Sequence, residues 1–246
     1  MQDFTKYSPN QQQPGGFVRV ADHSEALFFQ RIYTWMFAGL LLTAGTAYVL
    51  MHSAAWISFL TGSSFALIGA CIVQVGLVFF LSAKINDLTP SLAKLIFMIY
   101  AAVTGATFSV IGLIYSPAII FKAFVSTAGV YGAMAVYGLV TKRSLEGLGS
   151  FLFMGLVGLI IASLVNLFVQ SGPMDLVICV IGVLIFAGLT AYDHQKLRVI
   201  FFGFEQSGET NDDNISRVVI MGALTLYLDF INLFLFLLRL FGRGND

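Results

Sequence analysis

The feature that most constrains this chain is a long stretch without any Asp, Glu, Lys or Arg, between Arg31 and Lys84. A helix needs about 20 apolar residues to cross a bilayer, and this stretch is long enough for two. Soluble domains carry about 25% charged residues, whereas this chain carries 11% and is 58% hydrophobic. In lipid, every backbone polar group must be paired within its own segment, as in a helix. The sequence therefore predicts an all-α integral membrane protein.

Further uncharged runs follow along the chain and bring the predicted transmembrane helices to seven. They are expected at residues 32–51, 65–83, 95–115, 119–140, 149–170, 175–195 and 216–238. No fixed-period repeat divides the chain. We expect a single seven-helix domain over residues 26–246, preceded by a polar N-terminal tail, residues 1–25, that is disordered because it has too few apolar residues to pack.

The distribution of basic residues predicts the orientation, because cytoplasmic loops are enriched in Lys and Arg. With the N-terminus inside, the basic residues on that side are Lys6, Arg19, Arg31, Lys84, Lys94, Lys142, Arg143, Lys196, Arg198 and Arg217. The basic residues on the opposite side are Lys122, Arg239 and Arg243. This bias predicts a cytoplasmic N-terminus.

Charge and cysteine content exclude two further classes of protein. Thirteen basic and thirteen acidic residues give no net charge, which argues against a nucleic-acid partner. Cys71 and Cys179 both lie in apolar runs without a CxxC motif, so we interpret them as buried apolar side chains rather than a disulfide or a zinc site.

One acid interrupts the last predicted helix, VVIMGALTLYLDFINLFLFLLRLF, at Asp229. An ionised carboxylate in mid-membrane costs about 2.5–3.5 kcal/mol on insertion scales and almost always faces the bundle interior or water. At 100° per residue, Gly222, Thr225, Asp229 and Asn232 share one narrow face of the helix. We expect that face to point into the bundle.

A second acid, Asp193, ends the preceding predicted helix in IFAGLTAYDHQKLR, just before Lys196 and Arg198. If the last helix begins outside the hydrocarbon, Asp193 and Asp229 meet, and two carboxylates in contact share one proton. The alternatives are an interface acid at Asp193 and a purely structural, protonated Asp229. We expect the neighbouring His194 to be an interface residue that points away from the pair.

These two segments resemble the Bax inhibitor family, also called the transmembrane Bax inhibitor motif group, and its bacterial inner-membrane members in particular. The motifs that carry the resemblance are GLTAYDHQKLR and GALTLYLDFINLFLFLLRLFG, and the similarity extends to TKRSLEGLGSFLFMGLVGLIIASLVNLF. The resemblance implies a multi-pass protein of the cell inner membrane, with seven helices of which the last is central and surrounded by the other six.

The resemblance also implies a pH-sensitive calcium leak in which Asp193 and Asp229 sense protons and gate the path. Calcium takes six to eight oxygen ligands, so these two acids would form a weak calcium site, with Thr225, Asn232 and Asn166 as possible oxygen donors along a cation path. No other cofactor is expected. An interhelical hydrogen bond is the alternative role for Asn166.

This chain departs from family members with measured calcium leak at two positions. They carry an acid in the second helix where IGACIVQVGLVFF offers only Gln74, and a basic cluster after it where SAKIND has a lone Lys84. The departures bear on the calcium assignment rather than on the fold.

Other functions remain open at this point. An intramembrane aspartyl protease also uses a YD motif, here Tyr192–Asp193, but LYLD replaces its GxGD motif and no proline follows; we therefore expect no enzyme activity. A proton-coupled small-solute transporter is the first alternative function. The second is a stress regulator without transport that binds membrane-anchored proteases.

Overall fold

The computed structural model describes residues 14–62, 66–85, 87–207 and 211–243. For residues 14–23, 60, 61, 66–68 and 71 it describes the backbone only. Helices make up nearly all of this part of the chain, and no strand occurs in it. The helices are α1 (Pro14–Met51), α2 (Ala54–Gly62), α3 (Ala66–Lys84), α4 (Pro90–Phe108), α5 (Ile111–Ile114), α6 (Pro117–Val140), α7 (Glu146–Val169), α8 (Gly172–Ser207) and α9 (Asp212–Gly242).

The helix boundaries follow local sequence signals. α4 and α6 both begin with proline, whose fixed φ and missing N–H suit the first helical position, and Thr89 caps α4 by accepting a bond from the Leu92 N–H at 3.4 Å. α7 ends where Gln170 adopts a left-handed conformation with φ 53°. Each predicted segment falls on a helix, and the short α5 lies inside the segment predicted at 95–115.

Six helical stretches among the described residues are long and apolar enough to cross a membrane. They are Ser24–Met51, Pro90–Ile114, Pro117–Val140, Glu146–Val169, Gly172–Ser207 and Asp212–Gly242. The helix α3 coincides with the second predicted segment, but its fully described apolar stretch, Ile72–Lys84, is shorter than a membrane crossing. The structure therefore supports an all-α membrane protein with six such helices, and the expected count of seven stays a prediction.

α9 is the most buried of these six stretches. Within its most apolar part, 67% of the residues are buried inside the protein, against 11% for α7. α9 packs against α1, α4, α6 and α8, while α3 packs on α4 and α7 packs on α8. The acid at Asp229 thus lies on the helix that is best shielded from lipid.

Two helices extend beyond their predicted ends. α1 begins at Pro14, inside the segment predicted as a tail; residues 1–13 of that tail lie outside the described part of the chain. α8 continues to Ser207 rather than ending near residue 195. The extensions pack on each other, with Arg198 2.9 Å from Glu25 and the ring of Phe28 5.4 Å from that of Phe201.

Candidate functional site

Asp193 and Asp229 meet inside the bundle. Their carboxyl groups lie within hydrogen-bonding reach of each other, and because a carboxylate can only accept, a bond between them requires a proton on one of the two. Asp229 is 4% exposed, and apart from Asp193 its Oδ2 has no hydrogen-bond partner among the described residues. We refer to Asp193 and Asp229 as the acid pair.

The length of α8 explains why the two acids lie at the same depth. Asp193 lies fourteen residues before the end of α8 at Ser207, and Asp229 lies seventeen residues after the start of α9 at Asp212. Two antiparallel helices separated by only four residues in the sequence place such positions side by side. α9 thus begins far enough before Asp229 for the contact to form.

His194 follows Asp193 in the chain and is fully buried, so the expectation of an interface residue is wrong. Its Nδ1 lies 2.6 Å from the Thr190 carbonyl, which can only accept, so Nδ1 carries a proton. The imidazole packs against the rings of Phe29, Tyr33 and Tyr131. Its Nε2 is buried with no hydrogen-bond partner among the described residues.

The polar face predicted for α9 is only partly directed at the pair. Gly222 is buried, and a Cβ there would lie 2.9 Å from Leu197, so this position lets α8 approach closely. Thr225 is partly buried one turn before Asp229. The Asn232 amide donates to the Leu228 carbonyl of its own helix at 2.8 Å. The structure brings Thr225 and Asn232 to the same helix face as the acid but shows no bond from Asn232 to the pair.

Asn166 lies elsewhere. Its Oδ1 accepts a bond from the Ser171 N–H at 3.1 Å, in the turn between α7 and α8. That turn precedes Asp193 by most of the length of α8, so Asn166 lies at the opposite end of the bundle from the acid pair. Asn166 was also considered for an interhelical hydrogen bond, but its side chain instead accepts a bond from the backbone just after the end of its own helix, α7.

α8 is fixed closely to α6 and α7. A Cβ on Gly138 would collide with the backbone carbonyl of Ala191, and one on Gly149 would collide with the ring of Tyr192. Gln195 accepts from the Leu145 N–H at 2.7 Å and donates to the Arg143 carbonyl at 2.9 Å. The helix that carries Asp193 is therefore held against α6, α7 and the loop between them.

α9 is fixed to different neighbours. The Thr43 hydroxyl donates to the Ala101 carbonyl at 2.9 Å and lies 2.6 Å from the Tyr227 hydroxyl, so Tyr227 donates to Thr43. This chain of bonds joins α9, α1 and α4 in the bundle interior. Nearer the start of α9, Arg217 donates to the Leu88 carbonyl at 2.8 Å. The helix that carries Asp229 is thus tied to α1 and α4.

The sequence analysis missed a second charged contact between α8 and α9, in addition to the acid pair. Both Arg239 and Arg243 form ion pairs with Asp175, and Arg243 also donates to the Gly172 carbonyl. The signal was available: in an antiparallel pair, the residues that begin α8 lie level with those that end α9. We refer to Asp175, Arg239 and Arg243 as the arginine clasp.

The donor set at the acid pair fits a weakly bound cation better than a resident metal. Among the described residues, no group of three or more His, Cys, Asp or Glu side chains is placed to hold a metal ion. Asp193 and Asp229 offer four carboxylate oxygens, fewer than the six to eight that calcium takes. Carbonyl groups or water would have to complete the coordination.

Comparison with known proteins identifies the family. The family model "Inhibitor of apoptosis-promoting Bax1" matches residues 25–246. The inner membrane protein YbhL of Escherichia coli (strain K12) is 47% identical over 216 residues, covering 88% of this chain and 91% of YbhL. A Deinococcus radiodurans protein named only as uncharacterized is 44% identical over 219 residues, covering 89% of this chain and 91% of its own length. An uncharacterized membrane protein of Streptococcus pyogenes is 42% identical over 220 residues, covering 89% and 93% of the two chains. The resemblance drawn from the sequence is confirmed, and the chain is a membrane protein of the Bax inhibitor family.

Proposed function

We propose that this protein is a pH-sensitive cation leak channel or sensor, with calcium as its cation, and that the acid pair gates it. The observation that carries the proposal is the contact between Asp193 and Asp229, two acids from separate helices that meet inside the bundle. Intramembrane acids are costly and mark ion or proton pathways.

The chemistry of the pair sets the direction of the pH response. While one proton is shared, a hydrogen bond holds α8 and α9 together at this level. When the proton leaves, two negative charges face each other in a poorly solvated site, and both cannot stay in contact without a cation. Raising the pH therefore favours separation of the carboxylates or entry of a cation between them.

The surrounding oxygen atoms support a weak site. Thr225 and Asn232 lie within a turn of Asp229 on the same helix, and carbonyls or water would complete a partly hydrated calcium site. Weak binding suits conduction because a permeating ion must also leave. Gln74, which replaces the family's acid, donates to Thr107 at 2.9 Å and to the Val103 carbonyl at 3.3 Å, so it ties α3 to α4 instead.

The proposal includes the finer architecture. α3 is taken as the seventh transmembrane helix and α9 as the central one, which its burial supports. The bias in basic residues places the N-terminus in the cytoplasm, and the similarity to YbhL supports the cell inner membrane. We propose no enzyme activity and no cofactor beyond weakly bound calcium.

Calcium entry into vesicles that contain the purified protein tests this function. The wild type, Asp229→Asn and the matched control Asp212→Asn are compared over a series of pH values. Asp212 lies on the same helix but is 74% exposed and pairs with Arg31 at the surface. We expect calcium entry to rise with pH in the wild type and the control, and to lose its pH dependence in Asp229→Asn, whose amide cannot release a proton.

Two results would contradict the proposal. An Asp229→Asn profile that matches the wild type would remove the acid pair from gating. Wild-type vesicles that admit no calcium at any pH would remove the leak itself. A flux of protons with a small solute in those vesicles would then favour a proton-coupled transporter, and the absence of any flux would favour a regulator that binds membrane proteases.

A further inference from the structure

We propose that the arginine clasp is a second closure of the same path, at the end of the α8–α9 pair opposite the acid pair. This inference rests on the proposed function, because it requires a cation path between α8 and α9. It assigns Arg239 and Arg243 a role that the acid pair does not provide: their guanidinium groups are fixed cations that hold the helix ends together and oppose mobile cations.

The geometry of the clasp closes a gap between two helix ends. Arg239 and Arg243 lie one turn apart on α9, and each pairs with a carboxylate oxygen of Asp175 in the first turn of α8. The Arg243 guanidinium also binds the Gly172 carbonyl, one of the first groups of α8. The Asp175 side chain is 20% exposed, and those of Arg239 and Arg243 are 39% and 32% exposed. The clasp is therefore partly shielded from water, where ion pairs are stronger than at a fully exposed surface.

The chain connects α8 and α9 directly only at the end opposite the clasp. At the clasp end, side-chain contacts hold the two helices together. Only four residues separate the end of α8 at Ser207 from the start of α9 at Asp212, beyond the acid pair. No such connection joins the start of α8 to the end of α9. Below the clasp the two helices meet through apolar contacts, with Phe236 against Gly182 and stacked on Phe186 at 5.8 Å. Separation of the helices is therefore easiest at this end, and the ion pairs oppose it.

The charge at this end also opposes cations. In the described segments that meet here, residues 108–122, 165–179 and 236–243, the only acid is Asp175, and the bases are Lys122, Arg239 and Arg243. The Lys122 ammonium lies 4.6 Å from the centre of the Phe241 ring, beside the clasp. Within these described segments three cations face one carboxylate, and this excess of positive charge opposes calcium while the arginines stay in place.

Two closures in series predict a specific dependence of calcium entry on pH. Removing the clasp raises calcium entry only when the acid pair is open, because the pair still blocks the path when it holds its proton. The amplitude of the flux therefore changes, whereas the pH at which the flux begins does not. Substitution of the acid pair has the opposite signature, since it changes the pH dependence.

Vesicle flux with substitutions at the clasp tests this inference. In Arg239→Gln/Arg243→Gln we expect calcium entry to rise several-fold at high pH, with no rise at low pH and no shift of the profile. In the charge swap Asp175→Arg/Arg239→Asp, one acid again lies among the arginines, and we expect entry to return to the wild-type level. Should the double glutamine variant not purify as a monodisperse protein, Arg243→Gln alone retains the Asp175–Arg239 pair and is expected to give a smaller rise.

The outcomes separate this inference from the function on which it rests. Glutamine variants that match the wild type at every pH, while Asp229→Asn still changes the profile, would overturn the second closure and leave the acid pair as the gate. A charge swap that leaks as strongly as the glutamine variants would show that the ion pair does not close the end. Wild-type vesicles without calcium entry would end the leak function, and the clasp would lose its role with it.

Discussion

The two helices that supply the acids are anchored mainly through different neighbours, although the C-terminal part of α8 also contacts α1 through Arg198 and Phe201. α8 is fixed to α6 and α7 through backbone contacts at Gly138 and Gly149 and through the bonds of Gln195. α9 is fixed to α1 and α4 by the bond between Tyr227 and Thr43 and its continuation to a carbonyl of α4. Close packing at glycines anchors α8, whereas a chain of buried hydroxyl hydrogen bonds anchors α9.

This difference bears on the proposed role of the α8–α9 contact as a gate. If both helices were fixed to the same neighbours, loss of the acid pair would not change their separation. Because each has its own anchoring, the contacts between them can change while each helix keeps its position in its own group. The contacts of α9 with α6 include ring contacts without a directional bond, such as Tyr131 with Phe230 at 5.4 Å.

The largest expected effect breaks the anchoring of α8. In Gly138→Leu, the new side chain has to occupy the position of the Ala191 carbonyl, so α6 and α8 must move apart along their length. Overpacking costs about 1–3 kcal/mol where side chains can adjust and more where backbone is in the way. We expect at least about 3 kcal/mol of lost stability, measured as a large fall in the thermal unfolding temperature in detergent.

Gly132→Leu on the same helix is the matched control. A Cβ at Gly132 meets no atom within 4 Å, and the position is exposed to the surroundings. We expect its unfolding temperature to stay close to that of the wild type. If both leucine variants unfold at the same temperature as the wild type, close packing of α6 on α8 is not what holds α8.

An intermediate effect tests the anchoring of α9. Tyr227→Phe removes the hydroxyl that donates to Thr43 but keeps the ring, which packs edge-on against Phe97 at 5.7 Å. Interhelical hydrogen bonds in membrane proteins contribute about 0.6 kcal/mol on average and up to about 1.7 kcal/mol. We expect a loss of about 1 kcal/mol, measured by the same unfolding assay.

Tyr137→Phe on α6 is the control for this change, since Tyr137 is 48% exposed. Its unfolding temperature is expected to match the wild type. Equal stability of Tyr227→Phe and the control would mean that the buried hydroxyl chain does not fix α9 to α1 and α4.

Much of the fold was predictable from the sequence because the physics of the bilayer is simple. Uncharged runs of sufficient length become helices, and each predicted segment falls on one. The ends of α1 and α8 were not predictable in the same way. Lys196 and Arg198 were interpreted as the membrane edge and the end of the helix, yet α8 continues to Ser207, and in this extension Arg198 pairs with Glu25 and Phe201 packs on Phe28.

The same misplaced end of α8 explains which parts of the site were predicted. The acid pair was found because an acid in an apolar run is costly wherever the helix ends. His194 was assigned to the interface because α8 was expected to end there, whereas the longer helix keeps it among Phe29, Tyr33 and Tyr131. The arginine clasp was missed although the predicted antiparallel pairing of these helices already places the start of α8 level with the end of α9.

The smallest expected effect sharpens the comparison by testing the polar part of the α8 anchoring alone. In Gln195→Leu, the partly buried Leu145 N–H loses its acceptor and the exposed Arg143 carbonyl loses its donor, and water can replace the amide at the carbonyl. We expect a loss of about 0.5 kcal/mol, the low end for a hydrogen bond. Gln195→Glu separates the two bonds, because the carboxylate still accepts from Leu145 but cannot donate to the Arg143 carbonyl when ionised. The stability of Gln195→Glu should fall between those of the wild type and Gln195→Leu. If Gln195→Leu loses as much stability as Gly138→Leu, the contact of Gln195 with the α6–α7 loop, rather than the close packing at the glycines, anchors α8.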